Sequence, residues 1–199
     1  VIHKQALKAG AITSQLLDLA HQSRSGKART RLERLCSKLV SILSERAREL
    51  NTTFAILVEP EFPLLPCSPA ELEPVLHHML QNALDAIEAR QDSSSDGKRE
   101  PGLIEVRAFA TAGTAKITIQ DNGEGITPEH AARVFEPFYS TRAIGRGTGL
   151  GLTVCHSIIT ALKGGIDFAP APGGGTIFSL ETPAPPDADA QPGTDTDAT

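Results

Sequence analysis

Asp121-Asn122-Gly123-Glu124-Gly125-Ile126 and Gly147-Thr148-Gly149-Leu150-Gly151-Leu152 are the two stretches on which the reading of this chain turns. The first follows an alternating strand pattern, Ile117-Thr118-Ile119, and sets a carboxylate beside a flexible turn. An aspartate so placed can accept a hydrogen bond from the adenine amino group, while Gly123 and Gly125 admit the base close to the backbone. Guanine offers an acceptor at that position, so the pattern predicts ATP over GTP. The second stretch runs into an apolar helix start, where Gly149 and Gly151 let backbone N–H groups face phosphate oxygens and the helix dipole adds its field. It lacks the Gly-Lys-Ser/Thr of a P-loop, and no strand pattern runs directly into it as in a Rossmann fingerprint. Each block alone is a common loop motif. In this order they predict a base end and a phosphate end of one nucleotide site.

The chain of 199 residues is long enough for one domain with an appendage, and its net charge of -5 without a basic run excludes nucleic acid as a natural partner. Cys36, Cys67 and Cys155 have none of the paired spacings of disulfide frameworks or zinc sites, and read as ordinary thiols of a reducing compartment. No stretch approaches the roughly 20 apolar residues of a membrane span, and a cytoplasmic location is expected. Because the sequence starts at Val1 rather than Met, the expectation is a piece of a longer protein, with any membrane anchor or sensor elsewhere.

Working outward, Ile2, Ala9 and Leu16, with Ile12 and Leu19 offset by three, make a heptad seam over Ile2 to Ala20, so residues 1–26 are expected to hold one helix wanting a partner helix. Leu32, Leu35, Leu39, Ile42 and Leu43 predict an amphipathic helix that Asn51 closes. Thr52 to Glu59 reads as a strand. Ser68-Pro69 opens a helix whose Leu72, Val75, Leu76, Met79, Leu80, Ala83, Leu84 and Ile87 form a wide buried stripe. Gln91 to Gly102 is expected to be a polar mobile loop. Leu103 to Ala110, Ala115 to Gln120, Ile166 to Phe168 and Thr176 to Glu181 are strand patterns, Glu129 to Val134 a short helix and Gly149 to Leu162 a longer one. Residues 183–199 lack a hydrophobic pattern and are expected to be a disordered tail.

On the Leu72 to Ile87 helix, His78, Asn82 and Asp85 stand at i, i+4 and i+7 on one face of an otherwise apolar element. That face is expected to look at something polar. An Asn side-chain oxygen binds Mg²⁺ when phosphates supply further ligands.

His78-x-x-x-Asn82, Asp121-x-Gly-x-Gly125, Phe135-Glu-Pro-Phe-Tyr-Ser-Thr-Arg142 and Gly147-Thr-Gly-Leu-Gly-Leu152 resemble the N box, first glycine box, F box and second glycine box of sensor histidine kinases. Gly174-Gly-Thr-Ile-Phe-Ser-Leu180 is similar to their closing strand, and the resemblance covers about Ala28 to Thr182. It implies an α+β fold, a two-layer sandwich of the Bergerat type with helices on one face of a mixed sheet, over residues 27–182. It further implies Asn82 as Mg²⁺ ligand and Asp121, helped by Thr176, as adenine reader, with Gly147, Thr148, Gly149, Leu150 and Gly151 about the phosphates and His78 beside the nucleotide. Phe135 to Gly147 resembles the ATP lid, with Phe138 as packing anchor and Arg142 meeting the phosphates. Asp85 departs from members with Lys there; the Asn-Ala-Leu-Asp-Ala form is familiar among nitrogen-regulation-like kinases.

The Ile2 to Ala20 helix resembles the second helix of the dimerisation and phosphoacceptor hairpin. None of the six histidines has the acidic neighbour and Pro-Leu of a phosphoacceptor. The resemblance thus implies a histidine kinase catalytic region that transfers the ATP γ-phosphate to a histidine outside this chain, for relay to a response-regulator receiver domain, in a protein that is a homodimer at full length. The alternatives are an ATPase of the gyrase type, disfavoured because His78 stands where those enzymes have Glu, and a nucleotide-binding adaptor without kinase activity.

Overall fold

The computed structural model describes residues 29–94, 100–111, 113–141 and 148–184. In chain order they form α1 (Leu32–Glu49), β1 (Thr52–Val58), α2 (Pro69–Asp92), β2 (Gly102–Thr111), β3 (Thr114–Asp121), α3 (Pro128–Ala131), α4 (Gly151–Ala161), β4 (Gly165–Pro170) and β5 (Thr176–Pro183). The expected helix over residues 1–26 lies outside the described residues, as does the expected 183–199 tail except for Pro183, which ends β5, and Ala184, whose N–H donates to Gly113 O at 2.9 Å.

One mixed five-stranded sheet runs β1–β2–β3–β5–β4, with β1 and β2 parallel and the other pairs antiparallel. Alternation along the strands sends Ile104, Val106, Ala108, Ala115, Ile117, Ile119, Phe178 and Leu180 into the core. Against this face pack α1, α2 and α4, giving the two-layer α+β sandwich.

Each helix follows from its apolar period and its ends. Leu32, Leu35, Leu39 and Leu43 bury one side of α1, and Asn51 at φ 47°, a left-handed position that Asn tolerates, turns the chain into β1. Pro69 occupies the first turn of α2, where the Glu71 carboxylate accepts the Ser68 N–H at 2.7 Å. The whole predicted stripe from Leu72 to Ile87 is buried. Cys36, Cys67 and Cys155 are free and buried, and burial pushes their thiols up to about 12, 11 and 12, so they stay protonated.

Three expectations are corrected. The helix does not end at Ile87: α2 continues to Asp92, and Gln91, expected at the start of a mobile loop, is 6 % exposed. Its Nε2 donates to Leu50 O at 2.8 Å and Glu100 O at 2.9 Å, tying the end of α1 to the approach to β2. A polar residue at the end of an apolar period reads as solvated unless its distant partners are known. Helix α3 stops at Ala131, short of Val134, and α4 starts at Gly151, because Gly149 at φ +65° is not helical. Asp85, at i+7 from His78 on the same side of α2, finds a polar partner there. It turns to α1, where Arg46 bonds Asp85 and, at 2.8 Å, Glu88.

Replacing Gln91 by Met keeps the length and removes both of these hydrogen bonds, leaving Leu50 O with Thr52 Oγ1 and Glu100 O with Arg90 as their remaining side-chain donors. The expected cost is about 1–3 kcal/mol, read as a lower urea midpoint with an unchanged slope.

Candidate nucleotide site

Asp121 is the last residue of β3 and 3 % exposed. Its Oδ1 accepts the Gly123 N–H at 2.8 Å and the Thr176 N–H at 3.2 Å. The second contact follows from sheet register: Gln120 lies opposite Ile177, so the next residue on β3 meets Thr176, itself buried. Burial pushes the Asp121 carboxyl up to about 6, while the two backbone donors and the Arg90 charge pull the other way. A carboxylate whose Oδ1 is pinned by two amides presents Oδ2 in a set direction, suited to one polar edge of a flat ligand.

The turn after Asp121 is closed by two tight approaches. A Cβ on Gly123 would lie 2.5 Å from the Ala86 Cβ, and Glu124 N–H donates to Ala86 O at 3.0 Å. On the other side a Cβ on Gly175, at φ +93°, would lie 2.1 Å from Asp121 O. Gly125, at φ +80°, packs on Gly175 O. Ala86 and Gly175 belong to this end of the site and escaped the sequence reading. Their signals were present, a small residue one turn past Asn82 and a glycine directly before Thr176. Asn122 also contributes: its Oδ1 accepts the Leu103 N–H at 2.8 Å and its Nδ2 donates to Pro101 O at 3.1 Å, bracing the loop against β2.

At the phosphate end, Gly149 is held by a reciprocal fit with Phe138. Phe138 N–H donates to Gly149 O at 2.8 Å, and a Cβ on Gly149 would lie 2.4 Å from the Phe138 carbonyl carbon. Phe138 itself sits at φ 65°. Thr148 Oγ1 accepts the Leu150 N–H at 3.3 Å just before α4, whose first N–H groups point out of the helix end. The aromatic that packs on the core here is Phe135, its ring tilted against His156 at 5.7 Å and Phe168 at 6.1 Å between centroids, with Thr153 Oγ1 donating to its carbonyl at 3.1 Å. Phe138, expected as the anchor, engages through its backbone. Tyr139 Oη shares a 2.6 Å hydrogen bond with His130 Nδ1, and Arg133 lies 4.3 Å over the Tyr139 ring. These contacts leave His130 half-buried.

Helix α2 joins the two ends. His78 lies beside Gly151, where a Cβ would approach His78 Nδ1 to 3.2 Å, and Ala86 lies against Gly123. Eight residues of helix separate them, about 12 Å at 1.5 Å per residue. Asn82, between them at i+4 from His78, stands midway on the same face. Arg142 and Gly147 lie outside the described residues. Among the described residues no group of three or more His, Cys, Asp or Glu could hold a metal ion. A hard cation at this site would take an oxygen from Asn82 and the rest of its shell from phosphates and water.

Residues 67–186, more than half of the chain, match the family described as Histidine kinase-, DNA gyrase B-, and HSP90-like ATPase. The chain is 29% identical over 181 residues to the C4-dicarboxylate transport sensor protein DctS of Rhodobacter capsulatus, covering 91% of this chain and 26% of that protein. It is 28% identical over 183 residues to the sensor histidine kinase ZraS of Escherichia coli (strain K12), covering 92% of this chain and 37% of that one. The chain thus spans well under half the length of these relatives. Among solved structures, the nucleotide-free catalytic domain of histidine kinase ThkA aligns with a TM-score of 0.65 at 25% identity, over 79% of this chain and 95% of that one. Full-length ShkA in complex with AMPPNP aligns with a TM-score of 0.67 at 24% identity, over 89% of this chain and 36% of that one, a likeness of fold. The matched segment contains Asn82, Asp121 and the described glycines of both blocks, and the chain belongs to this ATPase family as the ATP-binding catalytic region of a sensor histidine kinase.

Proposed function

We propose that this region binds Mg-ATP between α2 and the segment 135–151, and that in the whole kinase the γ-phosphate passes to a histidine outside this chain. The phosphoryl group would then move to an aspartate of a response-regulator receiver domain. The observation that carries the reading is the placement of Asn82 on α2 midway between the Gly123 turn and the Gly151 helix start. That spacing suits adenine at Asp121 and phosphates at α4. The names of the curated relatives favour this reading over an ATPase or an adaptor.

In this mechanism Asp121 Oδ2 accepts from the adenine amino group, with Thr176 and Gly123 holding the carboxylate in place. Gly149, Leu150 and Gly151 turn backbone N–H groups to the phosphates, His78 flanks them, and Asn82 offers an oxygen to the cation. Mg²⁺, when bound, neutralises charge on the β- and γ-phosphates. Arg142 and Gly147 are assigned to the phosphates on their place in the motifs. The acceptor imidazole attacks phosphorus in line, the bond to the bridging oxygen breaks, ADP leaves, and the imidazole proton goes to the acceptor's acidic neighbour. A homodimeric whole protein of nitrogen-regulation-like type with this region in the cytoplasm completes the proposal. No helix among the described residues is long and apolar enough to cross a membrane.

Asn82→Ala in the full-length kinase is expected to abolish histidine phosphorylation from ATP with the fold intact; phosphate incorporation at the wild-type rate refutes the Mg²⁺ assignment. Gly149→Ala adds a Cβ at φ +65° against the Phe138 carbonyl. It is expected to weaken binding of a non-hydrolysable ATP analogue at least about tenfold, measured by calorimetry, with little change in far-UV circular dichroism.

The Asp121 carboxyl, raised from 3.8 to about 6, binds its proton more tightly in the folded chain than in the unfolded one. Stability of the nucleotide-free domain therefore contains a contribution that is full below pH 3.8 and is lost as pH rises through about 6. Adenine binding needs the ionised form, so affinity is expected to fall as pH drops through that value. Asp121→Asn is expected to lose nucleotide affinity while unfolding at no lower a temperature than wild type at pH near 7; tight binding by this variant refutes the adenine assignment.

A further inference from the structure

The two edges of the sheet are built differently. β4, Gly165-Ile-Asp-Phe-Ala-Pro170, carries an aspartate and ends in proline, features that discourage another strand from adding. β1, Thr52-Thr-Phe-Ala-Ile-Leu-Val58, has no charge, proline or glycine over seven residues. Its hydrogen bonds to β2 begin with Gly102 N–H to Asn51 O and end with Glu59 N–H to Ala108 O, both 3.0 Å. In a parallel ladder this parity points the backbone of Thr53, Ala55 and Leu57 toward β2, and that of Thr52, Phe54, Ile56 and Val58 outward. Helix α1 leaves that side open: Val40, Ser44, Ala47 and Arg48 form one wall of a groove of about 340 Å³ whose other wall is the start of β1.

We propose that this edge pairs with the same edge of a second copy of the chain, antiparallel about a two-fold axis at Ala55. The register is dictated by which groups point outward. Outward residues must face outward residues, so Phe54 lies opposite Ile56 of the second copy and Thr52 opposite Val58, each pair exchanging two hydrogen bonds. An axis at Ala55 is the one that overlaps the full strand. On the outer face, Thr53 then meets Leu57 of the second copy, with Leu103 next to it in the β1–β2 register. Leu57 and Leu103, 50% and 45% exposed, are two of the three large apolar side chains most exposed among the described residues, and pairing brings them to one stripe. A strand pair of this length is smaller than the ~1,000 Å² of a stable interface, so the dimer is weak and concentration-dependent.

Ala55 lies on the outer face beside Glu105 of β2, away from the core, and tolerates a longer side chain. Sedimentation equilibrium of the 199-residue chain tests the pairing with wild type, Ala55→Lys, Ala55→Glu and an equimolar mixture of the two variants. Wild type is expected to self-associate. Each variant alone sets like charges against each other at the axis and is expected to associate at least about fivefold more weakly, and the mixture to recover wild-type association. A monomeric wild type overturns the proposal. So does association that both variants retain, which would place the contact elsewhere, for instance on the Ile2 to Ala20 helix, and so does a mixture that stays dissociated.

Discussion

The approach of α2 to the sheet is the constraint on which the rest of this structure depends. Its buried stripe from Leu72 to Ile87 is the centre of the core, and its remaining face touches both glycine-bearing segments, Ala86 on Gly123 and His78 beside Gly151. Burial of seven large apolar side chains and Ala83, the large ones each worth about 1.5–3 kcal/mol before entropy is set against it, leaves the helix little freedom to slide. The distance between the Gly123 turn and the Gly151 helix start is therefore set by helical rise. Neither loop could hold that separation by itself.

Against this rigid element the chain keeps one costly group. Asp121 is buried at a strand end, and burial opposes its charge strongly enough to lift its pKa to about 6. The amides of Gly123 and Thr176 limit the cost without removing it. A ligand that supplied a donor to Oδ2 would complete what the fold leaves unfinished, and its binding would be coupled to domain stability through this carboxylate. Glycine at 123 and 175 follows from the same compaction, because Ala86 and Asp121 O occupy the space of their Cβ atoms.

Much of the fold was legible because its signals are local. The apolar periods of α1 and α2, the alternation of β2, β3 and β5, and the Ser68-Pro69 helix start each depend on residues within a turn or two. The misread positions depend on partners far along the chain. Gln91 is buried because Leu50 and Glu100 accept from it. Asp85 takes its partner, Arg46, from across the helix pair. Phe138 serves through a left-handed backbone that fits Gly149 rather than through its ring, and that conformation has no signature in residue type.

By itself the sequence determined the element types, the order of the motifs, and the chemistry on offer: an aspartate before Asn-Gly, an asparagine on an apolar helix, and glycines at a helix start. Periodicity and side-chain chemistry are properties of the chain alone, so they survive without coordinates. Tertiary structure decided the distances and the costs. Sheet register placed Thr176 on Asp121, the reach of α2 set Asn82 between the two ends, and hydrogen-bond parity left the backbone of Thr52, Phe54, Ile56 and Val58 facing outward on an uncharged edge. These depend on contacts between residues remote in sequence, formed only when the layers close and water is excluded.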